Sequence, residues 1–217
     1  SVEREGENSS ANPILCIYLA REMNELGLYG YEQRFLIKAI SNQLNILYDK
    51  PTLFLDYAEV LLQLRKPVLA VGFINTYITR YEANPRSQKL KMQVLITAGL
   101  LDEAEDYLNT ITVSPSEKIP FKYSILSKKI QTLLLSRMNE ELGIAASQEI
   151  PSEIDSISEE ITNLRKEQLS LMQEWLNEDG AGVSSQDLMT LCGSLIREKQ
   201  IDRVKELIDS YLIHHEQ

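Results

Sequence analysis

Prolines at positions 51, 85 and 120 stand 34 and 35 residues apart, and each precedes a run with apolar residues at helical spacing. Proline suits the first turn of a helix, where the N–H it lacks has no intrahelical acceptor anyway. Pro67 and Asp102 form a second series of helix starts, 35 residues apart and offset into the same period. Each period therefore holds two short helices joined by a tight turn, and the chain reads as a helical hairpin repeated.

The residues inside the period support this. Phe54, Tyr57, Ala58 and Leu61 lie on one face of the first helix, and Ala70, Ile74 and Tyr77 on one face of the second. A small residue among bulky neighbours lets two helices approach closely while the neighbours interlock. One period later Ala104 and Leu108 repeat Ala70 and Ile74, and the turn from Ala98 to Ala104 supplies a glycine that ends a helix, then acids that start the next. Over residues 51 to 114 the pattern resembles the tetratricopeptide repeat (TPR) family, departing from it at Lys91 and Met92, where a large apolar and then a small residue would stand.

The helical segments along the chain count to about ten helices in five hairpins, and the resemblance implies an all-α, right-handed α-solenoid with a concave face lined by the first helix of each unit. It also implies which residues face a partner. These are Thr52, Leu55 and Glu59, then Arg86, Lys89 and Gln93, and, counted from Pro120, Phe121, Ser124 and Lys128. Leu55, Glu59, Arg86, Lys89, Gln93 and Lys128 form the candidate partner-binding set.

Charge is segregated along the chain. Between Glu140 and Asp187 twelve acids face only Arg165 and Lys166, so this segment holds the whole net charge of −10. Val60 to Leu101 carries Arg65, Lys66, Arg80, Arg86, Lys89 and Lys91 against Glu82, and Lys118 to Arg137 has five bases and no acid. A basic face around Arg86 and Lys89 is expected to take an acidic peptide, from a partner or from the chain's own acidic helix. Nine of the ten tyrosines precede residue 124, which suits a contact surface and helix packing equally.

Read in order, residues 1–11 are polar and aperiodic, a flexible tail. Asn12-Pro13 opens a helix that stops near Gly27, and a second helix is expected from Tyr31 to Tyr48 after a turn flanked by Gly27 and Gly30. Beyond the central repeats, Val113 to Ile119 reads as a loop and Phe121 to Leu142 as a longer helix, closing a repeat region over 12–142. Residues 143–151 are weakly patterned and mark a candidate boundary. In the acidic region 152–217, Ile154, Ile157, Ile161, Leu164, Leu171 and Trp175 follow heptad spacing broken once by Gln168, the mark of a long helix packed on its own repeats. Gly180-Ala181-Gly182 breaks it, Ser184 or Ser185 caps a last hairpin, and Cys192 and Gly193 supply its small contact residues.

Chemistry is sparse. His214 and His215, the only histidines, are adjacent on a helix and diverge, and Asp102, Glu103, Glu105 and Asp106 suit a helix N-terminus without any catalytic role. A nucleophile in the body of the chain would have no histidine base, and Gly180-Ala-Gly182 lacks the rest of a phosphate loop. The expectation is a protein without enzymatic activity, metal or cofactor. Cys16 and Cys192 show neither disulfide nor zinc spacing, the apolar runs are too short to span a membrane, and the chain is expected in the cytoplasm. A pI near 4.8 opposes nucleic acid. Two functional classes follow: an adaptor holding a peptide or helix in a charged groove, or a structural subunit of a larger assembly, such as a trafficking or tethering complex, that docks through apolar patches. A TPR chaperone of the secretion type belongs beside the second.

Overall fold

The computed structural model describes residues 12–42, 45–147 and 152–215, so the tail expected over residues 1–11 lies outside them. Among the described residues the chain forms eleven α-helices, one 3₁₀ turn at Gly180–Gly182 and no strand. It divides into two compact units, Ser1–Leu100 and Leu101–Gln217.

In the first unit α1 (Pro13–Glu25) and α2 (Tyr29–Asn42) form a hairpin, a short α3 (Ile46–Asp49) follows, and α4 (Thr52–Gln63) and α5 (Pro67–Arg80) form a second hairpin. α6 (Pro85–Ala98) packs against α4 and α5. Small residues sit where helices meet: Ala39, Ala58 and Ala70 are completely buried, with Leu55, Leu61, Ile74 and the edge-on pair Tyr57 and Phe73 around them. The helix expected over Tyr31 to Tyr48 is instead two elements. α2 starts earlier, taking Gly30 into its first turn, and ends at Asn42. Near that end Ser41 Oγ donates to the Ile37 carbonyl at 2.7 Å, the local bonding by which Ser and Asn compete with helix continuation.

A shared turn closes four of the helices. After α1, α4 and α6, and again after α10 (Ser185–Arg197) in the second unit, the chain enters the left-handed region at Gly27, Arg65, Gly99 and Lys199. In each case the next residue's N–H reaches back five positions, as in Leu28 to Met23 and Lys66 to Leu61. This is the Schellman closure, which satisfies carbonyls that a helix end leaves unpaired. Arg65 and Gly99 are 34 residues apart, so the repeat is visible in backbone geometry as well as in side chains.

The second unit holds α7 (Leu101–Thr110), α8 (Pro115–Ser147), α9 (Ser152–Asp179), α10 and α11 (Ile201–His215). Pro120 is not a helix start: α8 begins five residues earlier and runs through it, so the loop expected at Val113–Ile119 shrinks to residues 111–114. The cause is a Ser-x-x-Glu capping box, with Glu117 N–H donating to Ser114 Oγ and Ser114 N–H donating to the Glu117 carboxylate. Pro115 takes the first helical position that was assigned to Pro120. The stretch 143–151 carries the end of α8 as far as Ser147, and 148–151 lie outside the described residues.

α8 and α9 pack as a long antiparallel hairpin, Tyr123 meeting Trp175 and Ser127 meeting Gln168. The heptad seam of α9 is thus used within the chain. Gln168, which interrupts it, is buried and donates to Ser127 Oγ at 2.7 Å, so the polar break costs no unsatisfied amide. The core joins Met172, Trp175 and Leu176 to Ile119, Tyr123 and Leu126 and to Leu191, Leu195 and Leu207 of the last hairpin, α10 and α11. Ser184 caps α10 through the Asp187 N–H, as expected.

Candidate functional site

Five of the six candidate partner-binding residues lie in the first unit and Lys128 in the second. Leu55 is only 1% exposed, deep in the first unit's core, and this corrects its placement on a binding face. In the α4 hairpin the core takes Leu53, Phe54 and Leu55 together, so the helix buries a wider arc than the repeat pattern allots. Lys128 lies exposed on α8 in the second unit, with Nζ donating to Gln131 Oε1 one turn away, and the register that selected it rested on Pro120.

Arg86 and Glu59 are brought together. From the first turn of α6 the Arg86 guanidinium donates to Glu59 Oε1 at 3.0 Å, to Glu59 Oε2 at 2.8 Å and to Asp56 Oδ1 at 2.8 Å. Asp56 and Glu59 are one turn apart on α4, so the planar fork spans both. The hydrogen bonds to Glu59 above all, then the one to Asp56, hold Arg86 still more firmly protonated than a free guanidinium. Lys89 and Gln93, exposed, continue the same face of α6 by one and two turns. Segment-by-segment charge counting does not see this clamp. The signal lay in the repeat itself: Arg86 is 27 and 30 residues beyond Glu59 and Asp56, which puts the start of one repeat beside the middle of the preceding one.

Next to the clamp is a cavity of about 230 Å³ lined by residues of α1, α2, α4 and α6. Its charged lining is Glu25, Glu32, Asp56 and Glu59 against Arg21 and Arg86, a net −2. Glu32 is 4% exposed; burial pushes its carboxyl above the usual range, the bond donated by Asn24 Nδ2 at 2.9 Å opposes this, and the charges of Asp56 and Glu59 add to it. Of the basic face expected around Arg86 and Lys89, only Arg86 lines this acidic cavity, and it already holds two carboxylates of its own unit.

A second feature was missed by periodicity. On the first hairpin Ile14, Leu15 and Tyr18 of α1 and Tyr31 of α2 are 54–61% exposed. On the last hairpin Met189 and Ile196 of α10 and Ile201, Ile208 and Leu212 of α11 are 39–72% exposed. Their spacing is that of buried helix positions, so the sequence alone assigns several of them to a core.

Both cysteines are buried free thiols. Among the described residues no three His, Cys, Asp or Glu side chains converge as metal ligands, and no helix is long and apolar enough to cross a membrane. No family model, characterised protein or solved structure matches the chain.

Proposed function

We propose that this chain is a non-enzymatic, TPR-like right-handed helical-repeat subunit of a larger protein assembly, attached to neighbouring proteins through its first and last hairpins. The observation that carries this reading is the exposure of large apolar side chains at helical spacing on both hairpins, among them Ile14, Leu15 and Tyr18 on one and Met189, Ile201 and Ile208 on the other. Ile14, Leu15 and Tyr18 stand within one turn of each other on α1, as do Ile208 and Leu212 on α11, and neighbouring exposed apolar residues favour burial against a partner. The internal pairing of Arg86 speaks against the adaptor alternative in the form that relied on a basic groove.

The test is charge insertion on each hairpin, Leu15→Glu with Tyr18→Glu, and Met189→Glu with Ile208→Glu. These positions are exposed, so circular dichroism and thermal midpoint are expected to stay near wild type. Stoichiometric complexes isolated from the source cell with each variant are expected to lose distinct partners. Recovery of the same partners at the same stoichiometry with both variants would overturn the proposal.

A further inference from the structure

Glu32 of α2 is 4% exposed and lines the cavity beside the Arg86 clamp. Asn24 Nδ2 donates to its Oε2 at 2.9 Å, and among the described residues no group donates to its Oε1. The other side-chain donors on the lining are engaged elsewhere: Arg21 pairs with Asp56 at 4.0 Å, and Arg86 with Asp56 and Glu59 at 2.8 Å. The rest of the wall is either acid or the buried core residues Ile17, Ala20 and Leu36, whose side chains carry no donor. Burial raises the Glu32 pKa, the Asn24 bond opposes this, and the charges of Asp56 and Glu59 add to it. The carboxylate is thus a buried charge short of partners, an arrangement that costs stability in the free chain.

A ligand for this cavity has to complete Glu32. The net charge of −2 on the lining turns anions away, and a neutral group leaves the buried carboxylate uncompensated. Among the described residues these acids do not converge as metal ligands. A guanidinium or ammonium group supplies both the opposite charge and the N–H donors, and about 230 Å³ has room for one with its alkyl stem. The approach to the cavity points to the source of that group. Ile14, Tyr18, Arg21 and Glu25 are spaced 4, 3 and 4 residues apart, so they form one exposed row on α1, and the last two line the cavity. Ile14 and Tyr18, each 61% exposed, belong to the face assigned above to a neighbouring protein. We infer that this cavity receives an arginine or lysine side chain of a partner protein, whose N–H groups donate to Glu32. A partner lying along α1 reaches the cavity while its neighbouring residues cover Ile14 and Tyr18. The inference rests on the reading of the first hairpin as a docking face and adds the chemistry that the partner presents there.

The test uses the full chain and two small probes of one shape, n-butylguanidinium, which is charged, and n-butylurea, which is not. Nitrogen-15 NMR follows the side-chain amide of Asn24, which bonds Glu32 directly. Butylguanidinium is expected to shift that signal with a Kd of about 1–10 mM, the range open to a fragment of this size, and butylurea to leave it in place. Glu32→Gln is expected to weaken butylguanidinium about tenfold, the scale of one charge-assisted hydrogen bond, while the thermal midpoint rises. That combination separates a ligand site from a structural carboxyl, whose replacement would lower the midpoint. Equal shifts from the two probes, no shift from either, or unchanged affinity in Glu32→Gln would overturn the inference. In complexes isolated from the source cell, Glu32→Gln is expected to make substoichiometric the same partner that Leu15→Glu with Tyr18→Glu removes. Full retention of that partner with Glu32→Gln removes only the cation site. Full retention of every partner with the Leu15 and Tyr18 variant, while butylguanidinium still binds, removes only the docking hairpin.

Discussion

Arg86→Ala tests whether the clamp on α4 stabilises the first unit. The side chains of Arg86, Asp56 and Glu59 are 46%, 21% and 40% exposed, so each pair is partly screened by solvent. Exposed pairs contribute about 0.2–1 kcal/mol, and a forked guanidinium holding two carboxylates belongs at the upper end, so losing both pairs costs about 1–2 kcal/mol at low salt. A small offset runs the other way, because a cation in the first turn of α6 opposes the helix dipole by about 0.3 kcal/mol. For a chain of 217 residues the net loss corresponds to a thermal midpoint lower by about 2–6 °C. Urea denaturation followed by circular dichroism on wild type, Arg86→Ala, Glu59→Gln and the double variant isolates the Glu59 pair as a coupling energy of about 0.5–1 kcal/mol. That coupling is expected to shrink in 0.5 M salt, roughly the regime where screening acts within a few ångströms. A coupling below about 0.3 kcal/mol, or one indifferent to salt, would refute the argument that the clamp neutralises this face.

The same unit offers three further tests. Ala70→Leu adds three carbons at a completely buried contact and is expected to destabilise by about 1–3 kcal/mol in urea titration. Gly99→Ala meets no atom within 4 Å, so its expected cost of about 1 kcal/mol is backbone strain at φ 77° alone, and Arg65→Gly at φ 56° is expected to shift the urea midpoint the opposite way. Glu32→Gln is expected to raise the thermal midpoint at pH 7. The raised carboxyl pKa favours folding while Glu32 is protonated and loses that contribution as pH rises through the folded value, so the gain from Gln should close as pH falls toward 4.5.

The first, second and last hairpins, the small contact residues Ala58, Ala70 and Cys192 and the in-chain use of the α9 seam were legible because each depends on local spacing, whereas Gly193, expected at a helix contact, has no atom within 4 Å of where a side chain would start. Ala58, Ala70, Trp175 and Leu191 are buried as their periodicity requires. What failed was whatever one residue decides against another's claim. Pro115 and Pro120 both look like helix starts, and only the reciprocal bonds between Ser114 and Glu117 choose between them. The candidate site was legible only in part: Arg86 and Glu59 were on the right face, but whether a charge is free or paired depends on a neighbour 27 residues away. Exposure on the outer sides of the hairpins was illegible, because an apolar stripe has the same spacing whether or not something covers it.

The acidity of α9 belongs to one face of a helix whose other face is core. Ile161, Leu169, Leu171, Met172, Trp175 and Leu176 are 0–8% exposed. Burial of a large apolar side chain contributes about 1.5–3 kcal/mol, so six of them contribute on the order of 10 kcal/mol, comparable with the whole stability of an ordinary domain. Removing residues 143–217 would therefore take away twelve of the fifteen buried residues of the second unit's core cluster along with its charge, and the chain left behind would not report on electrostatics. Substitutions at Glu160, Glu167 and Glu174, which are exposed, alter the charge and leave the seam in place. Glu159, Glu160, Glu167, Glu174 and Glu178 of α9 are exposed and form the solvent side of a structural hairpin, so any partner that reads them must approach from outside the α8 and α9 seam.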